Sequence, residues 1–120
     1  MRILGLDPGS QATGFGIIDW VDGDARYVAS GAIRTSGAAF PPRLRQIFEG
    51  VLALMREYEP REVAIERVFM HRNPDSALKL GQARGAAICA AFAGDPEVFE
   101  YAPREVKLAV VGQGGAQKEQ

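Results

Sequence analysis

Two acidic residues, Asp7 and Glu66, each end a short apolar run and could together carry out chemistry. The runs read ILGLD from Ile3 and VAIE from Val63, so each acid is the last residue of a predicted strand. A carboxylate buried without a partner is costly, whereas one at the open end of a strand can face a cleft. If the two strands are parallel neighbours, both carboxylates project from the edge of the sheet where α/β folds place their ligand sites.

The pairing of Asp7 with Glu66 suits a divalent metal ion. Two close carboxylates repel each other and share either a proton or a cation. Oxygen donors alone favour Mg²⁺ or Mn²⁺ over zinc, and paired ions of this kind serve phosphoryl displacement. Pro8 and Gly9 let the backbone turn away and leave room beside Asp7. A structural alternative stays open, in which Asp7 is a turn residue and Glu66 pairs with Arg67 or another base.

The elements that must position these acids follow a mixed α/β pattern. Apolar periodicity and turn signals predict the order β-β-β-α-β-α-β-α. Strands are predicted at residues 3–6, 14–20, 26–34, 62–66 and 97–101, with a hairpin turn at 21–24. Helices are predicted to begin at Pro42, at Asp75 or Ser76, and at Pro103, the second running to about Ala93. Three antiparallel strands followed by alternating helices and strands predict a mixed sheet with helices on its faces.

The composition is that of a globular domain. The chain has 120 residues, enough for one domain, with 47% apolar and 24% charged residues. We expect no membrane segment, because no apolar run approaches the ~18 residues that a span needs. We expect no signal peptide, because no long apolar stretch follows Arg2. The single cysteine, Cys89, excludes an intrachain disulfide and fits a reducing cytoplasm.

The net charge of −1 gives no indication of a nucleic-acid partner, and the distribution of charge along the chain is more informative. Between residues 67 and 84, four basic side chains are opposed by one acid, Asp75. This concentration indicates either a solvated helix face or a nucleic-acid contact. The only histidine, His71, lies in the same stretch and is either a surface residue or part of such a nucleic-acid contact.

Three stretches of the sequence closely resemble the RuvC family of Holliday-junction resolvases, and the resemblance runs from Met1 to Gln120. They read LGLDPGSQATGFGII, AIERVFMHRNPDSALKLGQARGAA and VFEYAPREVKLAVVGQGGAQKEQ. The resemblance implies an RNase H-like fold and a homodimeric, Mg²⁺-dependent endonuclease, for which Mn²⁺ can substitute. The implied substrate is four-way junction DNA, nicked in symmetric pairs during recombination and repair. The resemblance also implies RuvA and RuvB as protein partners and the cytoplasm as the location of this protein.

The resemblance makes Asp7 and Glu66 two of the family's four acidic metal ligands. The other two lie on a C-terminal helix beyond Gln120, and no acid in the present sequence replaces them. We therefore expect a single RNase H-like nuclease domain over residues 1–120 that is truncated relative to the family. We expect this form to bind Mg²⁺ poorly and to be inactive or weak.

The resemblance also assigns residues to DNA binding. Phe69 matches an aromatic residue that packs against DNA near the junction, where stacking on a base is worth about 1–3 kcal/mol. Lys107 and Lys118 match basic residues that bind DNA or assist cutting, since lysines neutralise phosphates. Arg72, in the basic stretch after Glu66, is a further candidate for DNA binding.

Small residues recur every four positions on the second predicted helix, at Ala77, Gly81, Gly85 and Cys89. Their size lets another backbone approach closely. From the spacing alone we expect this contact to be with the chain's own sheet, with Cys89 as a small buried residue. The family resemblance instead implies a dimer interface, and two-fold symmetry suits paired cleavage points.

Three other functions are compatible with parts of the sequence. The missing acids favour a junction-binding module that does not cleave. The loop DPGSQATGFG would suit the phosphate site of an actin-like or sugar-kinase-like nucleotide-binding fragment, although those proteins need a second domain. A YqgF-type nuclease shares the expected fold, but the FMHRNPDSALKLGQARG stretch argues against it.

Overall fold

The computed structural model describes residues 1–67 and 73–101. Within them the elements are β1 (Arg2–Asp7), β2 (Ala12–Val21), β3 (Asp24–Arg34), α1 (Phe40–Tyr58), β4 (Glu62–Glu66), α2 (Pro74–Ala91) and β5 (Glu97–Tyr101). The strands form one sheet in the order β3-β2-β1-β4-β5. The pairs β3–β2 and β2–β1 are antiparallel, whereas β1–β4 and β4–β5 are parallel. The predicted mixed sheet is therefore confirmed, with β1 at its centre and β4 beside it.

The hairpin between β2 and β3 turns at Asp22 and Gly23, as the sequence predicts. Both residues have positive φ, 53° and 76° respectively. Two successive positive φ values define the type I′ turn, whose twist matches that of the flanking strands. This turn makes β1, β2 and β3 a continuous antiparallel meander.

Helix α1 begins at Phe40, two residues before the predicted start, and ends at Tyr58. Glu59 then adopts φ 48°, and its backbone N–H donates to the carbonyl of Met55. Pro60 follows and cannot continue the helix. The chain thus leaves α1 in a defined direction and enters β4 four residues later.

Helix α2 is capped by Asn73, and the predicted caps Asp75 and Ser76 are wrong. The Asn73 side-chain oxygen accepts the backbone N–H groups of Asp75 and Ser76 at 2.9 and 3.2 Å. An asparagine at this position satisfies amides that have no partner within the helix.

Of the helices in the described ranges, neither is apolar over enough length to cross a membrane.

Both described helices pack against one face of the sheet. Helix α1 contributes four buried apolar residues and α2 contributes buried alanines. They meet sheet residues that alternate along β1, β2 and β4, which are Leu4, Leu6, Ile17, Val63 and Ile65. Side chains alternate between the two faces of a strand, so the residues between these point to the opposite face. The predicted packing of helices against the mixed sheet is confirmed for α1 and α2.

The stripe of small residues on α2 faces away from this core, contrary to the expectation from spacing. A side-chain carbon added at Gly81 or Gly85 meets no atom within 4 Å in the part of the chain that is described. Cys89 is exposed, so the prediction of a buried cysteine is wrong. The helix instead buries Ala83 and Ala87, together with Ala90 and Ala91, against the sheet.

Arg2 ties the start of β1 to the end of β2 and to the end of α1. Its Nε and Nη2 donate to the two carboxylate oxygens of Asp19 at 2.9 and 3.0 Å, and Nη1 donates to the carbonyl of Tyr58 at 3.2 Å. The hydrogen bond from Arg2 is the main cause that lowers the pKa of Asp19. This pair lies at the end of the sheet opposite to Asp7.

Candidate functional site

Asp7 and Glu66 occupy equivalent positions at the ends of two neighbouring parallel strands. Leu6 and Ile65 are register partners, and each acid is the next residue on its strand. Residues at matching positions of parallel strands point to the same face, and neighbouring strands lie about 4.8 Å apart. Because Leu6 and Ile65 face the helices, both acids leave the opposite face of the sheet. The structure places the two predicted acids side by side, as the sequence analysis expects.

Among residues 1–67 and 73–101, the surroundings of Asp7 are open. Asp7 is exposed, and its partner across β1–β2 is Gly14. A side-chain carbon built on Gly14 would lie 3.8 Å from Cβ of Asp7, so the two positions share a face. Since glycine places no side chain there, the Asp7 carboxylate has room beside it for a ligand.

Glu66, in contrast, is only 5% exposed. Its register partner on β5 is Tyr101, and the backbone N–H of Arg67 donates to the Tyr101 carbonyl at 2.7 Å. This bond holds the chain in strand geometry one residue past Glu66. A carboxylate in such a sheltered position interacts more strongly with a nearby cation than one in open water.

The donor set fits a magnesium-like ion in part. Carboxylate oxygens are the ligands that hard divalent cations prefer, and Mg²⁺ binds through one or two carboxylates while keeping several waters. Among the described residues, no group of three or more acidic, histidine or cysteine side chains could hold a metal. Within that part of the chain, Asp7 and Glu66 therefore offer two protein ligands.

The basic stretch after Glu66 is partly neutralised within the chain. Lys79 pairs with Asp75 at 3.0 Å on α2, and Arg84 pairs with Glu100 on β5. Lys79 therefore forms an ion pair on the surface of α2, and Arg84 forms one that joins α2 to β5. The candidates Phe69, Arg72, Lys107 and Lys118 lie outside the described residues, as do His71 and the helix expected from Pro103.

Arg43 is a residue near this edge that the sequence analysis does not identify. It lies in the first turn of α1 and donates to the carbonyl of Ser10, three residues after Asp7, at 3.0 Å. The first turn of a helix disfavours cations, because the helix dipole is positive there. An arginine at that position is the one sequence signal that could have indicated a specific role.

Comparison with known proteins identifies the family of this chain. The family model described as "Crossover junction endodeoxyribonuclease RuvC" matches residues 3–120. The crossover junction endodeoxyribonuclease RuvC of Methylococcus capsulatus is 60% identical over 119 residues, which cover 99% of this chain and 72% of that protein. The RuvC of Stenotrophomonas maltophilia is 62% identical, over 99% of this chain and 70% of that protein.

Solved structures agree with this assignment. The Thermus thermophilus RuvC in complex with a Holliday junction substrate superposes with a TM-score of 0.78 at 31% identity, covering 89% of this chain and 68% of that one. A yeast mitochondrial Holliday junction resolvase superposes with a TM-score of 0.65 at 10% identity, which shows a common fold alone. The expected RNase H-like α/β fold is confirmed, and the chain belongs to the RuvC family of crossover junction endodeoxyribonucleases.

Proposed function

We propose that this protein resolves Holliday junctions by metal-assisted hydrolysis of phosphodiester bonds, making paired symmetric nicks in recombination and repair. The observation that carries the proposal is the placement of Asp7 and Glu66 at adjacent ends of β1 and β4, on one face of the sheet. The junction substrate in the Thermus thermophilus relative supports four-way DNA as the partner. Membership of an endodeoxyribonuclease family supports the reaction type.

The proposed cofactor is Mg²⁺, with Mn²⁺ able to substitute, held by Asp7 and Glu66. The chemistry that such an ion supplies is polarisation of the scissile phosphate and a more acidic bound water. Asp7, exposed and opposite a glycine, offers its oxygens on the side from which a phosphate can approach. Glu66, which is buried at the end of β4, would supply the second carboxylate ligand from the sheltered side of the site.

Recognition of DNA is proposed to use Phe69, Arg72, Lys107 and Lys118. The family resemblance supports these residues, and Arg72 also belongs to the basic stretch that follows Glu66. Phe69 comes three residues after the sheltered acid, close enough along the chain for a base stacked on it to lie near the metal ligands. The lysines would neutralise backbone phosphates, so binding is expected to weaken as salt rises.

We propose a homodimer formed through the outer face of α2, which contains Ala77, Gly81, Gly85 and Cys89. Within the part of the chain that the structure describes, no atom fills the space outside Gly81 and Gly85, and Cys89 is exposed. Two large apolar side chains border the stripe, Leu78 with 62% and Phe92 with 53% of its surface exposed. An exposed apolar face of this kind is typical of an interface. A two-fold dimer would present two copies of the site to the two opposed strands.

The remaining parts of the proposal rest on the resemblance. RuvA and RuvB are the proposed protein partners, and the cytoplasm is the proposed location. A single RNase H-like domain over residues 1–120 remains the proposed organisation of this chain.

We further propose that the 120-residue form cleaves weakly or not at all. The described residues bring together two carboxylate ligands, whereas the family resemblance implies four, and affinity for a divalent cation falls as the number of charged ligands falls. The same observation favours the second candidate function, a module that binds junctions without cutting them. The two candidates predict the same binding and differ in cleavage.

A cleavage assay on a synthetic four-way junction tests both. The chain is compared with a form that carries the C-terminal remainder of the Methylococcus capsulatus relative, each with Mg²⁺, with Mn²⁺ and with chelator. We expect both forms to bind the junction and the longer form to make symmetric, metal-dependent nicks. In the longer form Asp7→Asn should abolish cleavage, whereas Asp19→Asn, at the opposite end of the sheet, should not. Binding without cleavage by both forms would favour the junction-binding module, and loss of both activities would contradict the proposal.

A further inference from the structure

The loop that follows Asp7, residues 8–11, turns sharply before β2 begins at Ala12. A side-chain carbon at Gly9 would lie 2.5 Å from the carbonyl oxygen of Ala12, a distance that no real side chain tolerates. The loop therefore folds tightly back on the start of β2. Because Asp7 is the last residue of β1, the position of its carboxylate depends on how firmly this loop is held.

Thr35, just past the end of β3, is the first residue that holds the loop. Its backbone N–H donates to the carbonyl of Gln11 at 3.0 Å. Its hydroxyl lies 3.1 Å from the carbonyl oxygens of both Ser10 and Gln11 and can donate its one proton to either. The loop is thus attached, through its successive residues Ser10 and Gln11, to the residue that follows β3.

Arg43 completes the attachment from α1. Its Nη2 donates to the carbonyl of Ser10 at 3.0 Å, and its Nε donates to the hydroxyl of Thr35 at 3.1 Å. Arg43 therefore bonds both to the loop and to the residue that already holds it. The planar guanidinium makes both contacts at once, which a single ammonium cannot reproduce with the same geometry.

Phe40 supports Arg43 and connects it to the second helix. The guanidinium carbon of Arg43 and the ammonium of Lys79 each lie 5.9 Å from the centre of the Phe40 ring, within the range of a cation–π contact. Lys79 belongs to α2, which follows the strand that ends at Glu66. The contacts therefore run from the loop beside Asp7, through α1, to the helix that follows Glu66.

We propose that Arg43 is a positioning residue, which holds the 8–11 loop through Ser10 and Thr35 and so fixes the Asp7 carboxylate in its metal-binding position. This inference rests on the proposed function, because it assumes that Asp7 binds a divalent cation. The cost of placing a cation in the first turn of α1 is offset by its two hydrogen bonds, to the Ser10 carbonyl and to the Thr35 hydroxyl. Arg43 contacts no substrate in this proposal and acts through Asp7.

The test uses the full 120-residue chain and two readouts that need no cleavage. The first is the Mn²⁺ concentration that half-broadens the amide NMR signals around Asp7. The second is the rate of amide hydrogen exchange in residues 9–12. The variants are Arg43→Lys, Thr35→Val and Thr35→Ser, with Arg45→Lys as the matched control, since Arg45 pairs with Glu49 on the exposed side of the same helix.

We expect Arg43→Lys and Thr35→Val to raise the Mn²⁺ midpoint by about tenfold, the scale on which residues that orient metal ligands act. Exchange in the loop should accelerate, while Thr35→Ser, which keeps the hydroxyl, and Arg45→Lys should match the parent chain. A parent-like midpoint for Arg43→Lys would overturn the positioning role even if its melting temperature falls. Asp7→Asn separates the two proposals, because an unchanged midpoint in that variant contradicts the metal site itself.

Discussion

Gly14 lies directly opposite Asp7 in the antiparallel pair of β1 and β2, and it leaves the space beside the Asp7 carboxylate free of a side chain. The distance of 3.8 Å from an added carbon at Gly14 to Cβ of Asp7 is an ordinary contact. A methyl group therefore fits, whereas a longer side chain would extend over the face from which a ligand reaches Asp7.

Substitution of Gly14 should separate folding from metal binding. We expect Gly14→Ala to fold with equal or greater stability, by up to about 1 kcal/mol, because alanine restricts the unfolded chain. Gly14→Leu should also fold but raise the Mn²⁺ midpoint by about tenfold, since its side chain competes with the hydrated ion. Thermal melting and Mn²⁺ titration measure the two effects. Equal midpoints for the leucine and alanine variants would contradict an open metal site at Asp7.

Gly50 on α1 lies so close to Ile33 on β3 that a methyl group added at position 50 would have to displace the Ile33 side chain. The added carbon would lie 2.6 Å from Cγ2 of Ile33. Alanine gains about 1 kcal/mol over glycine in a helix, but overpacking costs about 1–3 kcal/mol. We expect Gly50→Ala to destabilise the chain by about 1 kcal/mol in urea unfolding.

The same change should stabilise the chain once Ile33→Ala has removed the clash. A double-mutant cycle measures the difference, and the coupling should reach about 1–2 kcal/mol. Identical effects of Gly50→Ala in both backgrounds would mean that Ile33 is not the obstacle.

The Arg2–Asp19 ion pair should make the folding stability of the chain depend on pH in the acidic range. The hydrogen bond from Arg2 lowers the pKa of Asp19 in the folded chain. A depressed carboxylate pKa stabilises the fold above the unfolded value of about 3.9, and this contribution is lost as pH falls through the folded value. We expect Asp19→Asn to melt below the parent chain at pH 7, with the gap closing below about pH 4. A constant gap down to pH 2 would contradict the ion pair as its source.

The outer face of α2 should control self-association. We expect Gly85→Leu to weaken the dimer by tenfold or more, because its side chain fills the space that a second backbone would use. Phe48→Ala is the control, since Phe48 is an exposed apolar residue on α1. Sedimentation velocity of the two variants and the parent measures the effect. A parent chain that stays monomeric at high concentration would rule out this dimer.

The carboxyl ends of β1 and β4 were predictable because in each of them an apolar run stops at an acid. Strands β4 and β5 begin and end at the predicted residues, and the adjacent placement of Asp7 and Glu66 follows from their parallel pairing. The cap of α2 was mispredicted because Asn73, Asp75 and Ser76 can all cap a helix, and side-chain propensity does not rank them.

The orientation of α2 was not predictable because two different faces of the helix carry small residues at the same spacing. Alanines at 83 and 87 recur with the same spacing as glycines at 81 and 85. The alanines pack against the sheet because their methyl groups add apolar contact, and the glycines lie on the outer face of the helix. Arg43 escaped prediction for another reason: the Ser10 acceptor is a backbone carbonyl, which every residue type supplies and no sequence pattern marks.

The pairing of β1 with β4 has a consequence for the order of folding. The strands β1, β2 and β3 are joined by short turns and can pair through local contacts, but β4 joins β1 only after about 55 intervening residues, including all of α1, have been enclosed. Contacts across so long a loop form slowly and late. A nascent chain can therefore complete its meander well before Glu66 reaches Asp7, and the acidic pair arises only when the most distant strand pairing of the sheet has formed.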